Sequence, residues 1–513
     1  MSRRTFLQSA LAVGGVSSLE GLAIPAFAAG DRSGQPYRAD AHQPPRIPTQ
    51  SDPVALALAR VIDEPSFSEL PPVTIKYAKM ILASTLASAA AGASIGSVRI
   101  IRELAKEQGG KPEAPVWFDG ARLPVAQAAR VNAMLSDSAA SDDSDLRDVA
   151  HTGTCLTAVG LAIAERVGAS GADTLAAIVA GYEAAGRVGE ALIASSTVSS
   201  RGSGAISGSV GRGFHASCIV AFGGTAAAGR LLRLTADQMA QAIGLCATTV
   251  GGLAIGTNSW AREYHAGNAA LCAVHAALAA GRGYTVNRDM LENPGGFLAV
   301  FGGGTPDTSS LTRASGDDYQ IARYLAIKLY PGAHALHPAV EAAINAARQS
   351  HVSAEDVAKI LVAGPQSGLV ARKAPQDMIE AIHSLSYFIA SAVADKDFSW
   401  ADTAPEKFRR PAITHLMGLI ERDASPSAIH YHWGWGATVT IVTRSGARYR
   451  STVDAPRGSA PRGIEWRDID AKFNALMPQS GLPASSVHNS LELIHDFDKV
   501  KAVSELTRLN GSR

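Results

Sequence analysis

Three long segments of this chain, 152–167, 172–194 and 268–281, are apolar almost all round and built mostly from Ala, Leu, Val and Gly. A helix on a domain surface keeps a polar stripe toward water, whereas a helix without one has to be covered on every side. Several such segments therefore require a large helical domain with these helices at its centre. Aromatic residues make up only 6% of the chain, so small side chains must let the helices approach closely. The charged fraction, 18%, is too low for a coiled coil or a disordered chain. Lys and Arg (47) balance Asp and Glu (46), which excludes a dedicated nucleic-acid binder with its basic excess.

Further helices surround the central ones. Residues 75–91 stop at Gly92, and 98–108 stop at Gly109-Gly110. Val116-Trp117-Phe118 and Ala121-Arg122-Leu123 flank Asp119-Gly120, which predicts a small hairpin with a type I′ turn; Pro124 then opens a helix at its first position. Glu183 and Arg187 form an i,i+4 pair, and Thr235-x-x-Gln238 is a capping box for a helix through Thr249. After about residue 320 the pattern changes. Ser353-x-x-Asp356 caps a short helix, 359–362 reads as a strand, and 438–443 alternates and returns through Ser445-Gly446 as 448–453. Residues 466–477 and 491–509 are again helical. The fold class is mainly α: a large all-helical domain over 53–325, a smaller α+β lid over 326–460, and C-terminal helices over 461–509 returning to the helical domain.

The first residues read as a leader. Arg3-Arg4 precedes an apolar stretch that ends in Ala26-Phe27-Ala28, the pattern of a twin-arginine signal over 1–28. A Pro-rich flexible leader follows over 29–52. Glu20 interrupts the apolar run, so no membrane span is expected, and the cleaved protein is expected in the periplasm. Cys155, Cys218, Cys246 and Cys272 show no metal-ligand spacing and are expected as buried thiols.

Histidines gather where helices begin. His151 precedes the 152–167 helix and follows Asp142-Asp143-Ser144-Asp145. His215 ends a Gly/Ser-rich stretch over 195–214, His265 with Arg262 stands at another entrance, and His334 and His337 follow Tyr330-Pro331-Gly332. Helix N-termini favour anions, so His and Arg at several entrances suit a di- or tricarboxylate. The remaining histidines, His383 among them, read as structural. Gly211-x-Gly213-x-x-Ala216 follows no strand and is not a dinucleotide fingerprint. His430-x-His432 reads as a strand edge rather than a metal site.

The order of these segments resembles the MmgE/PrpD family. Carrying the resemblance are Asn132 with the acidic run and His151-Thr152-Gly153, Gly181-Tyr182-Glu183 with Arg187, and Gly213-Phe214-His215. Gly224-Thr225-Ala226, Gly251-Gly252-Leu253 and His265-x-Gly267-Asn268 follow, then Lys328-x-Tyr330-Pro331 before His337, Ser384-Leu385-Ser386-Tyr387 and Lys472-Phe473. They span about 53–505. The resemblance implies a homodimer with a metal-independent, cofactor-free active site between the two domains. It implies a lyase or isomerase acting on a small polycarboxylate: most simply a 2-methylcitrate dehydratase-like hydro-lyase, otherwise an epimerase or a decarboxylase. By position, the family's histidines fall on His151, His215 and His337, its lysine on Arg262, its hydroxyl on Ser144 and its first aspartate on Ala140.

Arginine keeps its proton in proteins, so Arg262 can hold a carboxylate but cannot be a general base. The expected roles are acid/base for His215 and His337, positioning or protonation for His151, and carboxylate binding for Arg262, with Asp143, Ser144 and His265 as further substrate-binding residues. The departures at Arg262 and Ala140 also admit a degenerate, non-catalytic carboxylate-binding protein.

Overall fold

The computed structural model describes residues 52–511 apart from 64, 197–208, 211–212, 315, 317, 372 and 424–433. The leader over 1–28, most of the Gly/Ser-rich stretch, Gly211 of the rejected fingerprint, and His430 and His432 lie outside the described residues.

Among the described residues the larger part begins with the helices α1 (Val54–Asp63), α2 (Pro72–Gly92), α3 (Gly96–Gln108), α4 (Val125–Ser138), α5 (Thr152–Val167), α6 (Gly171–Ala194), α7 (Ser217–Leu231), α8 (Ala236–Thr249) and α9 (Ala261–Ala280). The all-round apolar pattern has the expected consequence: every residue of α5 from Thr152 to Ala164 is buried. Close approach depends on small residues. A Cβ on Gly181 of α6 would lie 2.3 Å from Leu156 Cδ2 and 2.7 Å from the Gly223 carbonyl of α7. Gly181→Ala is therefore expected to cost about 1–3 kcal/mol, overpacking outweighing the roughly 1 kcal/mol that alanine gains in helix propensity. Thermal melting of the variant checks this; an unchanged or higher midpoint would show that the two helices are free to separate.

A second, smaller core lies over 336–453. Its sheet places Arg448–Val453 beside Ala437–Thr443, then Val357–Ala363, then Ile420–Arg422 at the far edge; only the last pairing is parallel. The helices His337–Ser350 and Leu385–Asp395 pack in the same core. The molecule is thus mainly α with a small sheet-containing part. The C-terminal helices Trp466–Leu476 and Ala484–His495 contribute Ile469, Phe473, Leu491 and Ile494 to the larger core. Among the described residues no single helix is long and apolar enough to cross a membrane.

Three local expectations change. The hairpin pairs Ala114↔Leu123 and Pro115↔Arg122, so Val116–Phe118 belong to the turn, not to a strand. Burial of Trp117 and Phe118, and the Trp117 amide bonded at 3.0 Å to Asn132 Oδ1, outweigh the Asp-Gly turn preference. Helix α9 starts at Ala261, earlier than the 268–281 segment, so Arg262 and His265 lie within its first turns. The helix expected over 491–509 breaks into Ala484–His495 and Ser504–Leu509, because the Val500 carbonyl turns to accept the amide of Gly171 at 2.9 Å. Of the cysteines, all free, three are buried and Cys272 is half-buried.

Candidate active site

A cavity lies between the two cores. The helical side lines it with Ala140, Val149, His151, His215, Thr257, Arg262 and Lys328, and the lid side with Gly332, Ala333, His334 and His383. Its interior is about 30 Å³, close to the share of one water molecule. Two lining residues hold left-handed backbone, Ala140 at φ 50° and the β-branched Val149 at φ 63°. Such conformations cost of order 1–3 kcal/mol each and concentrate at functional sites. On the lid side Gly332 is required: at φ 93°, its Cβ would meet the Ile382 carbonyl at 2.5 Å.

Charge is organised around two buried carboxylates. Asp137, at the end of α4, accepts His151 Nδ1–H at 2.7 Å and Arg262 Nε–H at 3.1 Å. The Arg262 guanidinium also donates to the carbonyls of Asp137 and Ser138, at 2.9 and 3.0 Å. Asp142 pairs with Lys328 Nζ at 2.7 Å and His151 Nδ1 at 3.1 Å, and accepts the Thr154 hydroxyl at 2.9 Å. Burial works to raise both carboxyls, but Arg262 and His151 hold Asp137 at about 2, and His151 with Lys328 hold Asp142 well below its usual range. Burial would lower His151, yet Asp142 and Asp137 raise it to about 9 against the nearby Lys328. Three cationic side chains, His151, Arg262 and Lys328, thus line the cavity, while the carboxylates paired with them, Asp137, Asp142 and Glu263, stand outside its lining, an arrangement suited to an anion.

The other imidazoles are neutral. Burial lowers His215 to about 3, His383 to about 4 and His334 well below its usual value. At His215 the Ser217 amide donates to Nδ1 at 3.2 Å, so the neutral ring carries its proton on Nε2. Its ring rests on His265, 4.9 Å between centroids. His334 lies between His337 (4.6 Å) and Trp435 (5.3 Å).

His151, His215 and Arg262 line the same cavity. His337 does not line the cavity: it is buried behind His334, lowered to about 3 chiefly by burial. His265 backs His215 rather than facing the cavity. Asp143 and Ser144 lie on the strand Asp143–Asp145, away from the lining; both Asp143 oxygens accept the Gly153 amide at the start of α5. Burial and the Asp142 charge raise Asp143 to about 7. The sequence reading passed over Asp137, gave no chemical role to Lys328, placed His334 only among the helix-entrance histidines that suit a carboxylate, and treated His383 as structural. His383 did carry the available signal, since it precedes a helix as the other histidines do.

Asp137, Asp142 and His151 bring potential metal-binding atoms within 4.8 Å of one another. Arg262 and Lys328 already neutralise both carboxylates, so a metal ion would have to enter against two fixed cations.

The His151 shift has a consequence for stability. An imidazole raised from about 6.5 unfolded to about 9 folded stabilises fully below pH ~6.5 and loses that contribution as pH rises through 9. The difference in urea-unfolding free energy between wild type and His151→Gln is therefore expected to shrink from pH 6 to pH 9.5. A constant difference would contradict the charged assignment.

Comparison with known proteins agrees over most of the chain. The MmgE/PrpD N-terminal domain model matches residues 56–309 and the MmgE/PrpD C-terminal domain model matches 330–498. Cis-aconitate decarboxylase of Homo sapiens is 23% identical over 445 residues, covering 85% of this chain and 90% of that protein. The Mus musculus cis-aconitate decarboxylase is 23% identical over 401 residues, covering 76% and 79%; that of Aspergillus terreus is 24% identical over 330 residues, covering 60% and 65%. With both halves matched in order, the chain belongs to the MmgE/PrpD family.

Proposed function

We propose that this protein is a lyase acting on a small di- or tricarboxylate, with decarboxylation as its favoured reaction. The carrying observation is the cavity itself, lined by three cationic side chains, His151, Arg262 and Lys328, and by three neutral imidazoles, His215, His334 and His383. Arg262 and Lys328 hold substrate carboxylates. Loss of CO2 breaks a carbon–carbon bond and leaves its electron pair on the substrate, next to a remaining carboxylate. His215 supplies the proton as an imidazolium: a bound polyanion raises the pKa of the ring, which takes up a proton from solvent, gives it to the carbon left by CO2 and returns to the neutral form. His334 takes the lid-side position that the sequence assigned to His337. The names of the relatives support the carboxy-lyase branch over the hydro-lyase and the epimerase.

Purified protein incubated with cis-aconitate, 2-methylcitrate, citrate and iminodisuccinate in deuterated water, followed by proton NMR, tests this. Loss of a carboxylate with deuterium on carbon supports decarboxylation. Elimination of water instead moves the protein to the hydro-lyase branch, and deuterium exchange without net change to the epimerase. Binding by calorimetry without any reaction would leave a carboxylate-binding protein.

Two further parts of the reading rest on other features. Export by the twin-arginine route to the periplasm is supported by Arg3-Arg4 and Ala26-Phe27-Ala28 and predicts a mature N-terminus at Ala29. A homodimer is supported by the exposed Leu253, Ile255, Trp260 and Tyr264 on one side of the helical part, and sedimentation tests it.

A further inference from the structure

Lys472 lies on the helix Trp466–Leu476, outside the cavity lining, yet it is nine-tenths buried. Its ammonium donates to the Ser141 carbonyl, to the Asp142 carbonyl at 3.4 Å and to the Ser84 hydroxyl at 2.7 Å. Ser84 donates in turn to the Asp142 carbonyl at 3.3 Å, and the Lys328 amide reaches the same oxygen at 3.1 Å. Among the described residues no carboxylate forms an ion pair with Lys472. A buried ammonium without a paired anion is costly. Burial accordingly pushes Lys472 down to about 7, against the pull of Asp142 and Asp143 and with the help of Lys328. This costly group spends its hydrogen bonds on the two carbonyls at the start of one short strand, and that strand follows directly from Asp142.

We propose, on the lyase reading above, that Lys472 is a positioning residue: its ammonium clamps the Ser141 and Asp142 carbonyls and so fixes the Asp142 carboxylate between His151 and Lys328. Downstream the strand is secured by pairing, Asp143↔Ile327, Ser144↔Ala326 and Asp145↔Leu325. Upstream it emerges from the left-handed turn at Ala140, where Lys472 and Ser84 supply side-chain anchors. Site geometry has to be held within about 0.5 Å to be productive. Asp142 joins an imidazole to an ammonium, so its displacement would disturb both at once.

The sign of one titration separates positioning from charge alone. The charged groups facing His151 are Asp137, Asp142, Asp143 and Lys328, with the imidazoles of His215, His334 and His383 and the Arg262 guanidinium around the same cavity; those facing Lys472 are Asp142, Asp143 and Lys328. If Lys472 acted only as a nearby charge, Lys472→Met would leave the His151 pKa unchanged or raise it, since Lys472, at about 7, has largely lost its proton where His151 titrates. If it positions Asp142, the same variant lowers it, because the Asp142 carboxylate is the main force raising it. In the full-length protein with labelled histidine, the NMR titration midpoint of His151 is expected to fall by about one unit or more. On whichever polycarboxylate the wild type turns over, kcat should fall roughly 10–100-fold with KM within about threefold. Ser84→Ala keeps the lysine and removes one anchor; it should shift both readouts the same way by less, and it serves if Lys472→Met fails to fold. An unchanged or raised His151 midpoint in the folded variants overturns the clamp. The titration needs no substrate, so a wild type inert toward every acid would sink the lyase reading without deciding this one.

Discussion

Alanine in place of His215 is expected to lower turnover roughly 10²–10⁴-fold while the protein remains folded, the usual range for loss of a general acid or base. The ring lines the cavity, and the Ser217 amide on Nδ1 commits the neutral form to a proton on Nε2. His215→Gln retains a donor but has no proton to give and take near neutral pH. It should recover substrate affinity without recovering rate, so the loss falls in kcat rather than KM. Circular dichroism and a melting curve establish that both variants are folded, and NMR with the substrate identified by the four-acid screen gives the rates. Full activity in His215→Ala would remove the proton donor from the proposed reaction.

Asp142→Ala should be the most damaging single change to stability at this site, at about 3–5 kcal/mol. It would strand Lys328, only 1% exposed, and leave the half-buried His151 with Asp137 as its one remaining carboxylate partner. It would also leave the Thr154 hydroxyl without its acceptor. Asp142→Asn keeps the shape and one acceptor oxygen, so it should cost less than alanine while still lowering the His151 pKa. Urea unfolding of the three proteins at pH 7 gives the ordering. If both variants unfold with the wild-type midpoint, Asp142 does not bear the charge balance of the cavity.

The fold was legible where one kind of force acts alone. Helix α5 was read to both ends because its pattern is apolar and its flanks are clear, and the capping box at Thr235 marked the start of α8 directly. The reading slipped where a distant contact decides, as at Trp117 against Asn132 or Val500 against Gly171. The same division runs through the site. His151, His215 and Arg262 were found because they stand near helix starts. Asp137 ends a helix amid small polar residues, and nothing local marks it; its importance comes from Arg262, which lies 125 positions further along the chain. His334 and His337 share one short segment, so only the turn of the chain at His334–Leu336 decides which of them faces the cavity.

The placement of Lys472 bears on how the protein is made. It reaches the Asp142 carbonyl across 330 positions, and the helix that carries it also completes the larger core. A ribosome has therefore to reach residue 472 before this anchor exists. Any nascent or truncated product ending short of residue 472 holds its cations and carboxylates without this brace.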